Sequence, residues 1–245
     1  MKNHTRYRCS PAHRAIHSRT TGRQETAQVR VRLLLWLLGP LLLLAPLAGT
    51  LHAQFDLGAD VVSRYIWRGT DFGNSASIQP YVSYGLGNLE IGAWSSWALT
   101  SPQANENDLY LTYSLGPVGL TLTDYYFPVQ TGQSDFFDYN PDTGSHILEA
   151  GGSVGSGDLA LLVAYNFSGD PDHSAYVEGS YAFYSNEDVS AGLSIGAGNQ
   201  VYVTGASGNW NIVNVALNVT RDRFTVSYIL NPEADISWMV LGISF

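Results

Sequence analysis

The sequence predicts an all-β fold, an up-and-down antiparallel transmembrane β-barrel of about 12 strands preceded by a cleavable signal peptide. Three observations predict it: a basic and then apolar segment near the start, apolar alternation through the rest, and connections that alternate in length. The last nine residues show the alternation, with Met239, Leu241, Ile243 and Phe245 on one face. Because no Lys or Pro shields this face, the terminal strand must be paired or must face away from water.

The first 53 residues read as a leader rather than as part of the fold. Residues 1–28 form a basic extension or follow a misplaced start codon, and residues 29–53 resemble a signal peptide cut after Ala53. The apolar run in this segment is short and contains two prolines, which disfavours a membrane anchor. The folded domain is therefore predicted to span residues 54–245.

Charge and cysteine content exclude several classes of protein. The only cysteine, Cys9, lies in the leader, so the domain cannot contain a disulfide. The domain contains twenty acidic residues but only four basic side chains and no lysine. The basic residues are Arg64, Arg68, Arg221 and Arg223. Because nucleic-acid binding needs clustered Lys and Arg, no nucleic-acid partner is expected.

Twelve segments of the domain alternate apolar and polar residues, an even number that suits a closed barrel. The first is predicted to run unbroken over residues 54–69. Short turns such as Gly87–Asn88 and Gly116–Pro117 alternate with longer loops such as residues 128–144. Aromatic residues near both ends of the apolar face suggest membrane interfaces.

A soluble lipocalin-like barrel or β-sandwich would show the same alternation with its apolar face inside. The polar face here is mostly Gly, Ser, Thr and Ala, which cover a soluble surface poorly. We therefore expect the apolar face to meet lipid, and the polar face to line a lumen.

The expected lumen residues include five acids, two arginines and two large aromatics, namely Asp60, Glu90, Asp108, Glu149, Glu178, Arg64, Arg68, Tyr81 and Trp94. Arg64 and Arg68 are predicted to share one face of the first strand, where buried guanidinium groups need carboxylate partners. These residues suit either an internal ion-pair network or a constriction that favours cations, and the two are compatible. A barrel of about 12 strands is wider than the small barrels that side chains fill and narrower than the large barrels that contain aqueous channels. A narrow pore and a plugged barrel are therefore both compatible with the sequence.

Other chemistry has weak support in the sequence. Asp138, Asn140 and Asp142 resemble part of a calcium loop, but Gly144 lies one position late and Pro141 stiffens the segment. We expect no cofactor and no specific metal site, only loose divalent bridging of acidic loops to lipopolysaccharide. The two histidines of the domain adjoin serines that alternation places on the opposite face, so no catalytic triad and no enzyme are expected.

The segments "VSRYIWRG" at 62–69, "TDYYFP" at 123–128 and "HILEAG" at 146–151 resemble the TorF family of porin-like outer-membrane proteins. This resemblance implies a Gram-negative outer membrane and passive diffusion of ions or small polar solutes. The acidic surplus of the expected lumen adds mild cation selectivity to this expectation. The alternative is a plugged structural or adhesive barrel that acts through its outer loops. Outer-membrane lipid, lipopolysaccharide and small solutes are the implied partners. The terminal residues Met239, Leu241, Ile243 and Phe245 look like the signal read by the barrel assembly machinery.

Overall fold

The computed structural model describes residues 53–101, 104–128, 136–204 and 208–245. The predicted leader, apart from Ala53, lies outside these residues. Twelve strands form the wall: β1 (Ala53–Val62), β4 (Ser77–Leu86), β5 (Leu89–Ala98), β6 (Glu106–Leu115), β7 (Val118–Tyr126), β8 (His146–Ser156), β9 (Leu159–Ser168), β10 (Ala175–Ser185), β11 (Val189–Gly198), β12 (Asn211–Arg221), β13 (Phe224–Asn231) and β14 (Ile236–Ser244). Two short strands, β2 (Ile66–Trp67) and β3 (Thr70–Asp71), form a separate hairpin.

The wall strands close into one antiparallel barrel in sequence order, which confirms the predicted fold and strand number. Closure occurs between the first and last strands, where Asp60 pairs with Ser244 and Val61 with Ile243. The terminal strand therefore has neighbours on both sides, and its unshielded apolar residues leave no exposed edge. No helix in the described residues has the length and hydropathy to cross a membrane.

The outer face of the barrel carries the apolar residues, as predicted. Phe55 and Leu57 are 64% and 65% exposed, and Met239 and Leu241 are also exposed. Aromatic side chains flank this aliphatic surface: Trp97, Phe167, Phe55, Tyr84, Phe183, Phe224 and Phe245. An exposed apolar surface of this kind is typical of a barrel embedded in lipid. The apolar alternation also predicts Tyr65, Trp67 and Tyr126 in these aromatic bands, but Tyr65 and Tyr126 are buried and Trp67 lies in the separate hairpin.

Short and long connections lie at opposite ends of the barrel, as the sequence predicts. One end, called here the short-turn end, contains tight turns such as those at Gly87 and Gly116, whose φ angles of 62° and 60° favour glycine. The other, called the long-loop end, contains the connections 99–105, 127–145 and 199–210.

The prediction of one unbroken first strand over residues 54–69 is wrong. Strand β1 ends at Val62, and residues 63–76 leave the wall and fold into the hairpin of β2 and β3. Alternation continues through this segment because a hairpin strand also has period two, so the pattern carries no sign of the departure.

Candidate functional site

Residues 63–76 form a compact segment, called the plug here. Its hairpin turns at Arg68 and Gly69, whose φ angles are 50° and 76°. Two consecutive positive φ angles define the tight turn that suits the twist of a two-residue hairpin. Arginine rarely adopts this conformation, so contacts elsewhere must hold Arg68 in place.

The plug contacts strands all around the wall, which places it inside the barrel. The Tyr65 ring packs 5.4 Å from that of Trp94 on β5, centroid to centroid. On another side, Trp67 packs edge-on against Tyr125 of β7. Across the barrel, the Asn231 side-chain amide of β13 donates to the carbonyl oxygen of Gly69 at 2.9 Å. No position outside the wall could reach these three strands at once.

The tip of the plug presses against the backbone of β12. A Cβ added at Gly69 would lie 1.8 Å from the carbonyl oxygen of Val213. Val213 is fully buried and stands at an irregularity in the register between β11 and β12. Only glycine therefore permits this close approach together with the positive φ.

Arg68 makes the central polar contacts of the plug. Its guanidinium donates to both carboxylate oxygens of Glu149 on β8, one of them at 2.9 Å, and to the Tyr202 hydroxyl at 2.6 Å. The same group lies 4.3 Å from the ring centroid of Trp67 and 4.8 Å from that of Tyr176. The Arg68 and Glu149 side chains are only 10% and 6% exposed. This is a buried bidentate ion pair with aromatic packing, the arrangement for which arginine is best suited.

Of the five predicted acidic partners, only Glu149 pairs with an arginine among the described residues, and the two arginines do not share a face of the wall. Arg68 leaves the wall with the plug, and Arg64 donates to Asp71 of the same plug at 2.6 Å. The Arg64–Asp71 pair is more exposed than the Arg68–Glu149 pair. It stabilises the hairpin itself, whereas Arg68 ties the hairpin to the wall.

Glu106 and Asp108 place two buried carboxyl groups on the inner face of β6, beside Tyr65 of the plug. Glu106 Oε2 and Asp108 Oδ1 have no hydrogen-bond partner among the described residues. Burial, together with the negative charges of Glu106 and Asp108, raises the pKa of Tyr65 well above its usual value. The recognisable alternation of this strand begins at Asp108, so the pattern does not indicate Glu106.

Tyr202 reaches the plug from the connection between β11 and β12, within a short 3₁₀ turn over Gln200–Tyr202. Its ring packs against those of Trp67 and Tyr176. Burial raises the pKa of Tyr202 to about 12, although the nearby Arg68 charge opposes the rise. No alternation pattern covers this loop, so the sequence offered no signal for Tyr202.

The lumen differs sharply between its two ends. At the long-loop end, inward residues beside the plug, such as Ser77 and Ser96, are 1% exposed. Toward the short-turn end the inner face is accessible, and a cavity of about 520 Å³ opens there. Its polar lining includes Asp158, Glu178, Ser180, Ser194 and Asn218. The barrel interior is therefore closely packed around the plug and has an open cavity toward the short-turn end.

The remaining predicted lumen residues are distributed between the short-turn end and the long-loop end. Glu90 is exposed near the short-turn end, and Asp60 is half-buried where β1 meets β14. Tyr81 fills space over Gly58, and Trp94 packs on the plug. Glu178 borders the cavity and accepts hydrogen bonds from the Tyr176 hydroxyl at 2.6 Å and the Asn214 amide at 3.0 Å.

In the acidic segment 138–144, which resembles a calcium loop, side-chain oxygens accept hydrogen bonds from backbone amides of the same segment. Asp138 accepts from the backbone amide of Asn140, and Asn140 accepts from that of Asp142. Such turns are ordinary for Asp and Asn. Within the described ranges, no three His, Cys, Asp or Glu side chains are arranged to hold a metal ion.

No protein-family model and no curated protein matches the sequence, so the resemblance to the TorF family stays a prediction. Solved structures with a similar chain path include the KdgM porin, with a TM-score of 0.44 at 11% identity over 79% of this chain and 98% of that one. A mutant of Rh. blastica porin gives 0.33 at 13% identity, over 79% and 99% of the chains. A structure from work on in-meso crystallization of membrane proteins gives 0.46 at 10%, over 78% and 83%. These identities are too low to transfer a function.

Proposed function

We propose that this chain is an outer-membrane porin-like channel for ions or small polar solutes, closed at its outer half by the plug. The observation that supports the proposal is the asymmetry of the lumen, with an open cavity toward the short-turn end and closely packed residues around the plug at the long-loop end. A purely structural barrel of this width could be filled throughout by side chains. Small inward residues such as Gly192 and Ser194 instead keep the cavity open.

The proposed location follows from the outer surface. An exposed aliphatic belt with aromatic margins suits a lipid bilayer, and closure satisfies every strand edge within it. The long-loop end is assigned to the cell exterior and the short-turn end to the periplasm, because barrels of this class have long outer loops. Assembly through the terminal Met239, Leu241, Ile243 and Phe245 belongs to the same proposal.

Conduction in this proposal requires the plug to move. The contacts that hold its tip include the Arg68–Glu149 pair, the hydrogen bonds to Tyr202 and Asn231, and aromatic packing. Glu90, Asp158 and Glu178 lie in the accessible lumen, so the path carries a surplus of negative charge. A pore lined in this way favours cations over anions.

The test is conductance of refolded residues 54–245 in a planar bilayer with a KCl gradient. We expect rare, small cation-selective steps for the native sequence and larger or more frequent steps when residues 64–74 are replaced by a short Gly-Ser linker. Folding of both proteins is checked by heat-modifiable migration on gels. A folded barrel that conducts in neither form would contradict the channel and favour the adhesive alternative.

That alternative has one specific observation in its favour. The connection 127–145 presents aromatic side chains to the outside, with Phe137 84% exposed. An adhesive barrel would need this loop and no movable plug. In that case a partner would bind equally well whether or not the plug is present.

A further inference from the structure

The described part of the connection between β7 and β8, residues 127–128 and 136–145, packs against the outer face of the barrel. On β7, Leu120 and Leu122 point outward and are each 50% exposed. Asp124 and Tyr126 follow on the same face, and Tyr126 is paired directly with His146 of β8. The outer wall at the long-loop end therefore carries a small polar and aromatic patch immediately above the apolar belt.

His146 clamps the loop to this patch. Its Nδ1 lies 2.7 Å from an Asp124 carboxylate oxygen, and its Nε2 lies 2.8 Å from the backbone carbonyl oxygen of Phe136. The two ring nitrogens thus contact two oxygens on different elements, one on β7 and one in the loop. The ring also stacks between Tyr126, at 4.7 Å, and Tyr139, at 4.0 Å.

Tyr139 completes the clamp from the loop side. Its hydroxyl donates to the second oxygen of Asp124 at 2.7 Å, so both carboxylate oxygens are engaged. Asp124, Tyr126 and Tyr139 are the titratable groups that face His146 from the strands and loop packed around it. Their contacts leave His146 only 4% exposed.

The clamp leaves aromatic surface facing outward. Phe137 is 84% exposed, Phe136 is 37% exposed, and the two rings pack edge-on at 5.4 Å. Aromatic side chains at this height, continuous with a lipid-facing belt, match the aromatic girdles that lie at membrane interfaces. We propose that residues 136–139 are a membrane-interface anchor, seated on outer-leaflet lipid by the His146–Asp124 clamp. The proposal rests on the membrane location given under the proposed function.

The absence of cysteine after Cys9 allows a clean test. Phe137→Cys in residues 54–245 is labelled with the environment-sensitive dye NBD and reconstituted into phosphatidylcholine vesicles with and without nitroxide-labelled lipid. We expect blue-shifted emission, strong quenching by nitroxide lipid and weak quenching by iodide. The matched control is Val201→Cys, which is exposed at the same end but adjoins the lumen residue Tyr202. For the dye at position 201 we expect no blue shift, weak quenching by nitroxide lipid and strong quenching by iodide.

Equal iodide quenching at positions 137 and 201 would overturn the proposal. A second variant tests the clamp: His146→Gln in the Phe137→Cys background should shift the dye toward water and increase iodide quenching severalfold. An unchanged dye signal would show that the clamp does not seat the anchor. Flotation of each labelled protein with the vesicles measures insertion separately, so a failure of the barrel to enter membranes is distinguishable from a failure of the anchor.

Discussion

Arg68 and Glu149 stand 81 positions apart in the chain and form a buried bidentate ion pair inside the barrel. Arg68 belongs to the plug and Glu149 to the wall. The pair therefore connects the plug, which is proposed to move, with the stationary wall. Removing one partner leaves the other charge buried and unpaired, which typically costs about 3–5 kcal/mol.

Glu149→Gln should therefore loosen the plug and increase the open probability of the channel in single-channel recordings. Arg68→Lys should not preserve the native behaviour, because an ammonium group cannot donate bidentately or stack like a guanidinium. The double change Arg68→Ala with Glu149→Ala should cost less stability than the sum of the single changes. Strict additivity in urea unfolding would contradict the pairing.

Gly69→Ala should prevent the plug tip from seating, because the new Cβ would collide with the Val213 carbonyl oxygen. The matched control is Gly116→Ala, since Gly116 also has a positive φ but has nothing within 4 Å of the added Cβ. Backbone strain alone costs about 1 kcal/mol and should be common to both changes. We expect proteolytic cleavage within residues 63–76 only for Gly69→Ala, detected by mass spectrometry. Equal protection in both variants would contradict the crowded tip.

Glu90→Gln should lower the cation preference without disturbing the plug, because Glu90 is exposed near the short-turn end, whereas the plug lies at the long-loop end. The reversal potential under a KCl gradient should fall, with a change of about twofold in the permeability ratio. Asp222→Asn, at an exposed short turn, serves as a charge-matched control. A larger effect from Asp222→Asn would place the selectivity outside the lumen.

The pKa of Tyr139 offers a pH-dependent reporter of the clamped loop. Burial, followed by the hydrogen bond to Asp124, raises this pKa to about 12. A folded pKa above the unfolded value near 10 means that the contribution to loop stability is fully present below about pH 10. It is lost as the pH rises through about 12. The absorbance titration at 295 nm should contain one more late-titrating tyrosine in the native protein than in Tyr139→Phe. A difference between the two proteins that titrates near pH 10 instead would contradict the Asp124 contact.

The wall of the barrel could be predicted from local pattern alone. Period-two alternation in segments such as 89–98 and 236–244 identifies strands, and residue types such as Leu57 and Met239 identify the outward face. Short turns at Gly87 and Gly116 fix the order of neighbours. These features need no knowledge of distant contacts, because each depends on residues close together in the chain.

The plug could not be predicted in this way. Residues 66–71 keep the alternation of the preceding strand, and Arg68 is an unusual residue for a turn position with positive φ. The pattern therefore extends a strand that the structure ends at Val62. Glu106 was missed for a related reason, since strand ends are the least certain part of a pattern.

The sequence by itself determined a closed barrel with an apolar exterior and an acidic interior, because alternation, turn chemistry and composition are local properties. Only the tertiary structure decided that Arg68 leaves the wall and contacts Glu149 and Tyr202. The same holds for His146, whose partners Asp124 and Phe136 come together only when the loop folds back. Closure of the barrel brings these distant residues together. Their polar contacts become specific only when the surrounding wall excludes water, because a buried charge is then stable only with its proper partners.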